Sequence, residues 1–199
     1  KDDIEAVLEV LESEFLTQGE NSTIFEKALC DYYGSKYCSV VSNGTAALHL
    51  VGLSLDWKKG DIIITTPISF VASSNCIIYS GATPDFVDID SETLNIDTSA
   101  LEDKLNYYLS KDKKVKAVIG VDFAGNPCNW KELKQLSNKY DFVLINDNCH
   151  AMGASYFGDK KYASKYADVV VQSFHPVKHI TTGEGGCILT NNESLDKKI

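Results

Sequence analysis

The chain has 199 residues, is 44% hydrophobic and 24% charged, and carries a formal net charge of −9, the composition of an ordinary globular domain. That acidic balance argues against nucleic acid or an anionic membrane as the main partner, and no apolar run approaches the ~20 residues that a membrane-crossing helix needs. No signal-peptide pattern opens the chain, and the six cysteines are scattered without a C-x-x-C pair; they read as the thiols of a reducing, cytoplasmic compartment.

In chain order, Ile4, Val7, Leu8, Leu11 and Phe15 follow helical spacing. Thr23-x-x-Glu26 resembles a capping box, with Phe25, Ala28, Leu29 and Tyr32 on the helix face behind it. Strands and helices then alternate. Strands are predicted at 38–42, 62–66, 84–89, 115–121, 142–146, 168–174 and 186–190. Helices are predicted at 45–55, from about Phe70 to Tyr79, and at 98–109 and 130–140. Valine- and isoleucine-rich strands separated by helices imply an α/β domain with a mainly parallel sheet flanked by helices. Ligands of such a sheet sit at the carboxyl ends of its strands. The chain opens at Lys1 inside a helical pattern and closes on Asn192–Ile199, which reads as the start of another helix. It is therefore expected to be one large domain of a longer protein.

Three strand ends carry residues with chemical potential. Ser42-Asn43-Gly44-Thr45 opens a helix after the first strand. It is either an ordinary helix start capped by Thr45, or a cradle whose free amides hold a phosphate. It fits neither G-x-x-x-x-G-K-[ST] nor G-x-G-x-x-G. Asn146-Asp147-Asn148-Cys149-His150 places a carboxylate at a strand end, either as a turn-forming cap or as the partner of a protonated ring nitrogen with His150 beside the same ligand. Asp147, His150, His175 and His179 lack the spacing of a zinc motif, so no metal is expected, and Cys149 sits in no recognisable nucleophile motif. Phe70 is either core or a ring that stacks on a flat cofactor. The segment Ser173-Phe174-His175-Pro176-Val177-Lys178, ahead of the Gly183–Gly186 turn, puts one lysine just past a buried strand. Desolvation there disfavours the ammonium and suits Schiff-base chemistry; the plain alternative is a surface loop lysine.

Taken together and in this order, the motifs resemble the DegT-type sugar aminotransferases, pyridoxal-phosphate enzymes of the aspartate-aminotransferase fold (fold type I). The matching pieces are Phe15-Leu16-Thr17-Gln18-Gly19, Ser42-x-Gly44-Thr45-Ala46-Ala47-Leu48, Gly81-Ala82-Thr83-Pro84-x-Phe86-Val87-Asp88, Asp147-x-x-His150-Ala151-x-Gly153-Ala154, and Ser173-Phe174-His175-x-x-Lys178-x-x-Thr181-Thr182-Gly183-Glu184-Gly185-Gly186. The resemblance covers essentially the whole chain. It implies that residues 1–199 are the cofactor-binding large domain, without the C-terminal small domain. Within the family, the Ser173–Gly186 segment is most similar to the transaminases of pseudaminic acid synthesis.

By this resemblance Lys178 carries pyridoxal 5'-phosphate as a Schiff base and then moves a proton between the amino donor and the cofactor. Asp147 pairs with the pyridinium nitrogen and keeps the ring an electron sink. His150 lies beside the phenolic oxygen, Phe70 stacks on the ring, and Gly44, Thr45 and Ser173 hold the phosphate. Thr181–Gly186 shapes the loop behind Lys178. The implied substrates are glutamate and a UDP-linked 4-keto-6-deoxy-N-acetylhexosamine, aminated at C4, in a homodimer with shared active sites. Contacts to the uridine are expected from outside residues 1–199 or from a partner subunit. One departure from the family is Asn146, where many relatives carry Glu. Members that dehydrate sugars carry His in place of Lys178, so the lysine favours amino transfer. The competing readings are another nucleotide-sugar aminotransferase with a different keto-sugar, another fold-type-I reaction, and a non-catalytic cofactor-binding regulator.

Overall fold

The computed structural model describes residues 1–17 and 19–199; Gln18, the middle residue of the Thr17-Gln18-Gly19 motif, lies outside the described residues. Among these, the apolar runs form seven strands: β1 (Tyr37–Val41), β2 (Ile62–Thr65), β3 (Thr83–Phe86), β4 (Val115–Val121), β5 (Val143–Asp147), β6 (Val169–Ser173) and β7 (Gly186–Thr190). They make one sheet in the order β1-β7-β6-β5-β4-β2-β3. Pairing is parallel from β6 through β3, while β7 runs antiparallel to both β6 and β1. The mainly parallel sheet expected from the sequence is therefore present, closed on one side by an antiparallel pair.

Helices cover both faces: α1 (Asp2–Leu11), α2 (Glu20–Tyr33), α3 (Gly44–Ser54), α4 (Ala72–Tyr79), α5 (Thr98–Ser110), α6 (Trp130–Tyr140), α7 (Tyr162–Tyr166) and α8 (Glu193–Asp196). Because side chains alternate along a strand, each central strand feeds two cores. Ile63, Ala117, Ile119, Ile145, Val169 and Val171 pack against α3 and α4. Ile62, Ile64, Val118, Leu144 and Val170 pack under α2, α5, α6 and α7. Burial on both faces is why these strands read as continuous apolar runs.

Several local expectations are corrected. Thr23 does not cap α2: the helix starts earlier, behind an N-cap at Gly19, and Glu26 Oε1 instead accepts the β1 amide of Val40 at 2.9 Å. A carboxylate tying two elements together outweighs the local capping pattern. Thr45 does not cap α3 either; Asn43 does, its side chain accepting from Ala46 N at 2.8 Å. α4 begins at Ala72, so Phe70 precedes the helix. β3 stops at Phe86, and Ile89 makes only an isolated bridge to Ile96. The short α7 follows a turn-rich stretch and has no apolar period long enough to be read from sequence.

Candidate active site

The carboxyl ends of β4, β5 and β6 and the N-terminus of α3 surround a cavity of about 760 Å³. Every candidate residue lines it: Gly44 and Thr45 from α3, Phe70 from the β2–α4 loop, Asp147 and His150 from the end of β5, and Ser173 and Lys178 after β6. The sheet places them there because β5 ends at Asp147 and β6 at Ser173, side by side in parallel.

The cradle end is built by close approach. A Cβ on Gly44 would stand 2.9 Å from the Ser173 Cβ and 3.2 Å from Cys149 Sγ, so only glycine lets the start of α3 sit against these two strand ends. Asn43 satisfies the amide of Ala46 with its side chain and that of Ala47 with its carbonyl. Gly44 and Thr45 are the first two residues of the helix, whose amides have no intrahelical acceptor. Their N–H groups and the Ser173 hydroxyl form a neutral donor set at a helix N-terminus, which fits a phosphate.

Asp147 is 5% exposed. Its Oδ2 accepts from Ser73 Oγ at 2.7 Å and its Oδ1 from Cys149 N at 3.3 Å. No cation pairs with it among the described residues. A buried carboxylate with two neutral donors and an open face on a cavity is under-satisfied. A protonated ring nitrogen in the cavity would supply what it lacks. Burial first and Asp147 second push Cys149 well above the ordinary thiol value and Cys76 up to about 12, so both neighbouring sulfurs stay protonated.

Phe70 is 65% exposed and lines the cavity, so its ring is not in the core. His150 is partly buried, and burial followed by the charge of Lys178 holds its imidazole below the ordinary value; it is a neutral ring near neutral pH. Lys178 is half-buried, on a loop tied at its base: Phe174 N donates to Gly185 O at 2.7 Å, and Thr182 N and Thr181 Oγ1 both donate to Phe174 O. The Thr181–Gly186 segment is thus the brace of the lysine loop.

Sequence reasoning missed two groups. Ser69 and Ser73 reach the site from the α4 side, their hydroxyls 2.6 Å apart; a serine pair at i, i+4 on a helix start is too common to signal this. The other is Asp122, just after β4. Its carboxylate is fully buried and accepts from Cys128 N, Trp130 Nε1, Asn146 Nδ2, Asn148 Nδ2 and Tyr162 Oη. Burial pushes Asp122 above the usual carboxylate range, against the pull of those donors. The residues on both sides of Asp147 are therefore anchored on the opposite face of the sheet. Asn148 Oδ1 extends the network to Tyr33 and to Gln172, the neighbour of Ser173.

The profile of the DegT/DnrJ/EryC1/StrS aminotransferase family matches residues 1–199. The chain is 41% identical over 197 residues to the UDP-4-amino-4,6-dideoxy-N-acetyl-beta-L-altrosamine transaminase of Campylobacter jejuni, covering 99% of this chain and 50% of that protein. The structure of Helicobacter pylori PseC, an aminotransferase involved in the biosynthesis of pseudaminic acid, superposes with a TM-score of 0.88 at 39% identity, covering 100% of this chain and 52% of PseC. NtdA of Bacillus subtilis, solved with bound cofactor PMP, superposes with a TM-score of 0.86 at 32% identity, over 100% of this chain and 44% of that one. The chain spans about half the length of the curated relatives it matches.

Proposed function

The chain belongs to the DegT/DnrJ/EryC1/StrS aminotransferase family, and on that footing we propose that it is the cofactor-binding large domain of a pyridoxal-phosphate-dependent nucleotide-sugar aminotransferase. The observation that carries this reading is the under-satisfied buried carboxylate of Asp147, facing the same cavity as Lys178 and the free amides of Gly44 and Thr45.

Pyridoxal phosphate, when bound, supplies an electron sink for the carbanion that proton removal leaves. The chain's own residues supply the rest. Lys178 Nζ attaches the cofactor and is the base and acid at the reacting carbon. Asp147 keeps a ring N–H proton in place. Phe70 offers a flat apolar wall. Gly44, Thr45 and Ser173 would hold the cofactor's phosphate, and His150, as a neutral ring lining the same cavity, would bind the cofactor without adding charge beside Lys178.

The amino acceptor is a UDP-linked 4-keto-6-deoxy-N-acetylhexosamine and the donor is glutamate. The likeness to the Campylobacter transaminase and to PseC supports this choice, as does the Ser173–Gly186 segment. The protein works in the cytoplasm as a homodimer with shared active sites. Among the described residues no helix is long and apolar enough to cross a membrane.

The test is incubation of the full-length protein with pyridoxal phosphate, glutamate and the UDP-keto-sugar, followed by mass spectrometry. The expected products are the 4-amino sugar and 2-oxoglutarate. Amination of a dTDP- or GDP-linked keto-sugar in preference would move the assignment to another sugar; absence of cofactor binding would overturn it.

A further inference from the structure

Asp147 is held by a hydroxyl pair, Ser73 backed by Ser69, that has no role in the chemistry proposed above. Ser73, in the first turn of α4, is 1% exposed and its Oγ lies 2.7 Å from Asp147 Oδ2. An ionised carboxylate only accepts hydrogen bonds, so the single hydroxyl proton of Ser73 points at Asp147. The Ser69–Ser73 contact at 2.6 Å then has one direction: Ser69 donates and Ser73 accepts. Ser69 in turn lines the main cavity and a side pocket beside Phe70. The outcome is a two-hydroxyl relay from the cavity wall to the buried carboxylate, with each bond polarising the next.

We propose that Ser73 is a positioning residue for Asp147, acting through its hydroxyl and backed by Ser69. It fixes Oδ2 toward α4 and so leaves the other carboxylate lone pairs to the cavity. It also stabilises the anion where no cation among the described residues pairs with it. The second donor to the carboxylate, the amide of Cys149 at 3.3 Å, is two residues along the same backbone. It is longer and cannot on its own hold the carboxylate's rotation. Without Ser73, a short side chain at the end of β5 would turn, and a charge poorly solvated by protein would cost folding stability. The inference rests on the proposed cofactor for its functional consequence, and on Asp147 alone for its structural one.

Two readouts separate these. The first needs no cofactor: the unfolding equilibria of wild-type protein, S73A, D147A and the double variant form a cycle. A hydrogen bond to a buried charge predicts that S73A shifts the unfolding equilibrium by about tenfold or more in the wild-type background and by less than about twofold in the D147A background, where the acceptor is gone. The second is the dissociation constant of pyridoxal phosphate, measured by quenching of protein fluorescence. S73A is expected to weaken it about tenfold, again only where Asp147 is present, and S73T, which keeps the hydroxyl, to restore it to within about threefold. Equal effects of S73A in both backgrounds would show a merely structural serine and overturn the proposal. So would an S73T variant that folds and binds like S73A. If S73A does not fold, S69A decides through the same cycle: an effect that vanishes with D147A supports the relay, and one that persists overturns it. Failure of the wild-type protein to bind pyridoxal phosphate would sink the proposed function, while the cofactor-free cycle would still decide the role of Ser73.

Discussion

The backbone N–H of Asp122 donates to the carbonyl of Asp147 at 3.2 Å, and the two buried side chains on either side of that bond are satisfied in opposite ways. Asp122 is enclosed by five donors and makes no contact with the cavity, whereas Asp147 has two donors and opens onto it. One carboxylate is a structural hub; the other is left incomplete on the cavity side, where a ligand would complete it. The division implies different losses. Asp122→Ala strands five donors in the core and is expected to cost about 3–5 kcal/mol in denaturant unfolding. A cost below about 1 kcal/mol would show that the hub is dispensable.

Asp147→Asn should spare the fold and remove the chemistry. The neutral amide cannot hold a ring nitrogen protonated, and loss of one such electrostatic partner lowers a rate by at least ~10²-fold. The variant is expected to keep some cofactor. Stopped-flow measurement of the half-reaction with glutamate checks this, and a near-normal rate would remove Asp147 from its role.

Lys178 is expected to be the attachment point. Borohydride reduction of the protein with pyridoxal phosphate, followed by peptide mapping, should place the pyridoxyl group on Lys178. Lys161 and Lys165 lie outside the cavity, and Lys165 is paired with Asp159. A label on either would overturn the assignment.

The middle of the sheet was legible because its central strands are buried on both faces and therefore mostly apolar, as in Val169-Val170-Val171. Site residues at strand ends were legible because their motifs are local: Gly44-Thr45 and Asp147-x-x-His150 each lie within a few residues. What escaped is long-range or depends on a cap. The Asp122 hub joins residues from β4 to α7, and the Ser73 contact spans 74 positions; neither leaves a local pattern. The position of Phe70 turned on where α4 begins, a boundary that helical spacing does not fix.

His150 gives a pH dependence with a definite sign. Its folded imidazole titrates below the ordinary value, because of burial and then Lys178. The folded state therefore binds the proton less well than the unfolded chain, and stability rises with pH across this window. The contribution is fully present above the ordinary imidazole range near pH ~6.5 and is lost as the pH falls through that range. H150Q should accordingly lose less stability than wild type between about pH 7 and pH 5. In NMR titration, replacing Lys178 with Ala should move the His150 transition upward. Parallel stability profiles for wild type and H150Q would contradict this account.

Gly186 tests whether the phosphate cradle depends on how closely β7 approaches α3. In the sheet Gly186 pairs with Ser173 on one side and Val41 on the other, directly under the Asn43–Gly44 peptide. A Cβ there would stand 2.5 Å from Asn43 C, and 2.7 Å from both Asn43 O and Gly44 N. All three are backbone atoms, so no side-chain rotation relieves the clash. G186A must displace the start of α3 or the start of β7, at a cost of about 1–3 kcal/mol. Either movement separates the Gly44 and Thr45 amides from the Ser173 hydroxyl. Charge-assisted hydrogen bonds are individually worth about 1.5–3 kcal/mol, so affinity for pyridoxal phosphate should fall at least ~10-fold. Gly185→Ala is the control. Its Cβ would meet the Thr182 hydroxyl at 2.3 Å, with Phe174 no nearer than 3.4 Å, and a hydroxyl can rotate away. G185A should loosen the brace of the lysine loop while leaving the cradle intact. It should therefore bind inorganic phosphate as wild type does, and G186A should not. Equal phosphate affinity in the two variants would mean that the donors of the cradle are not set by this contact.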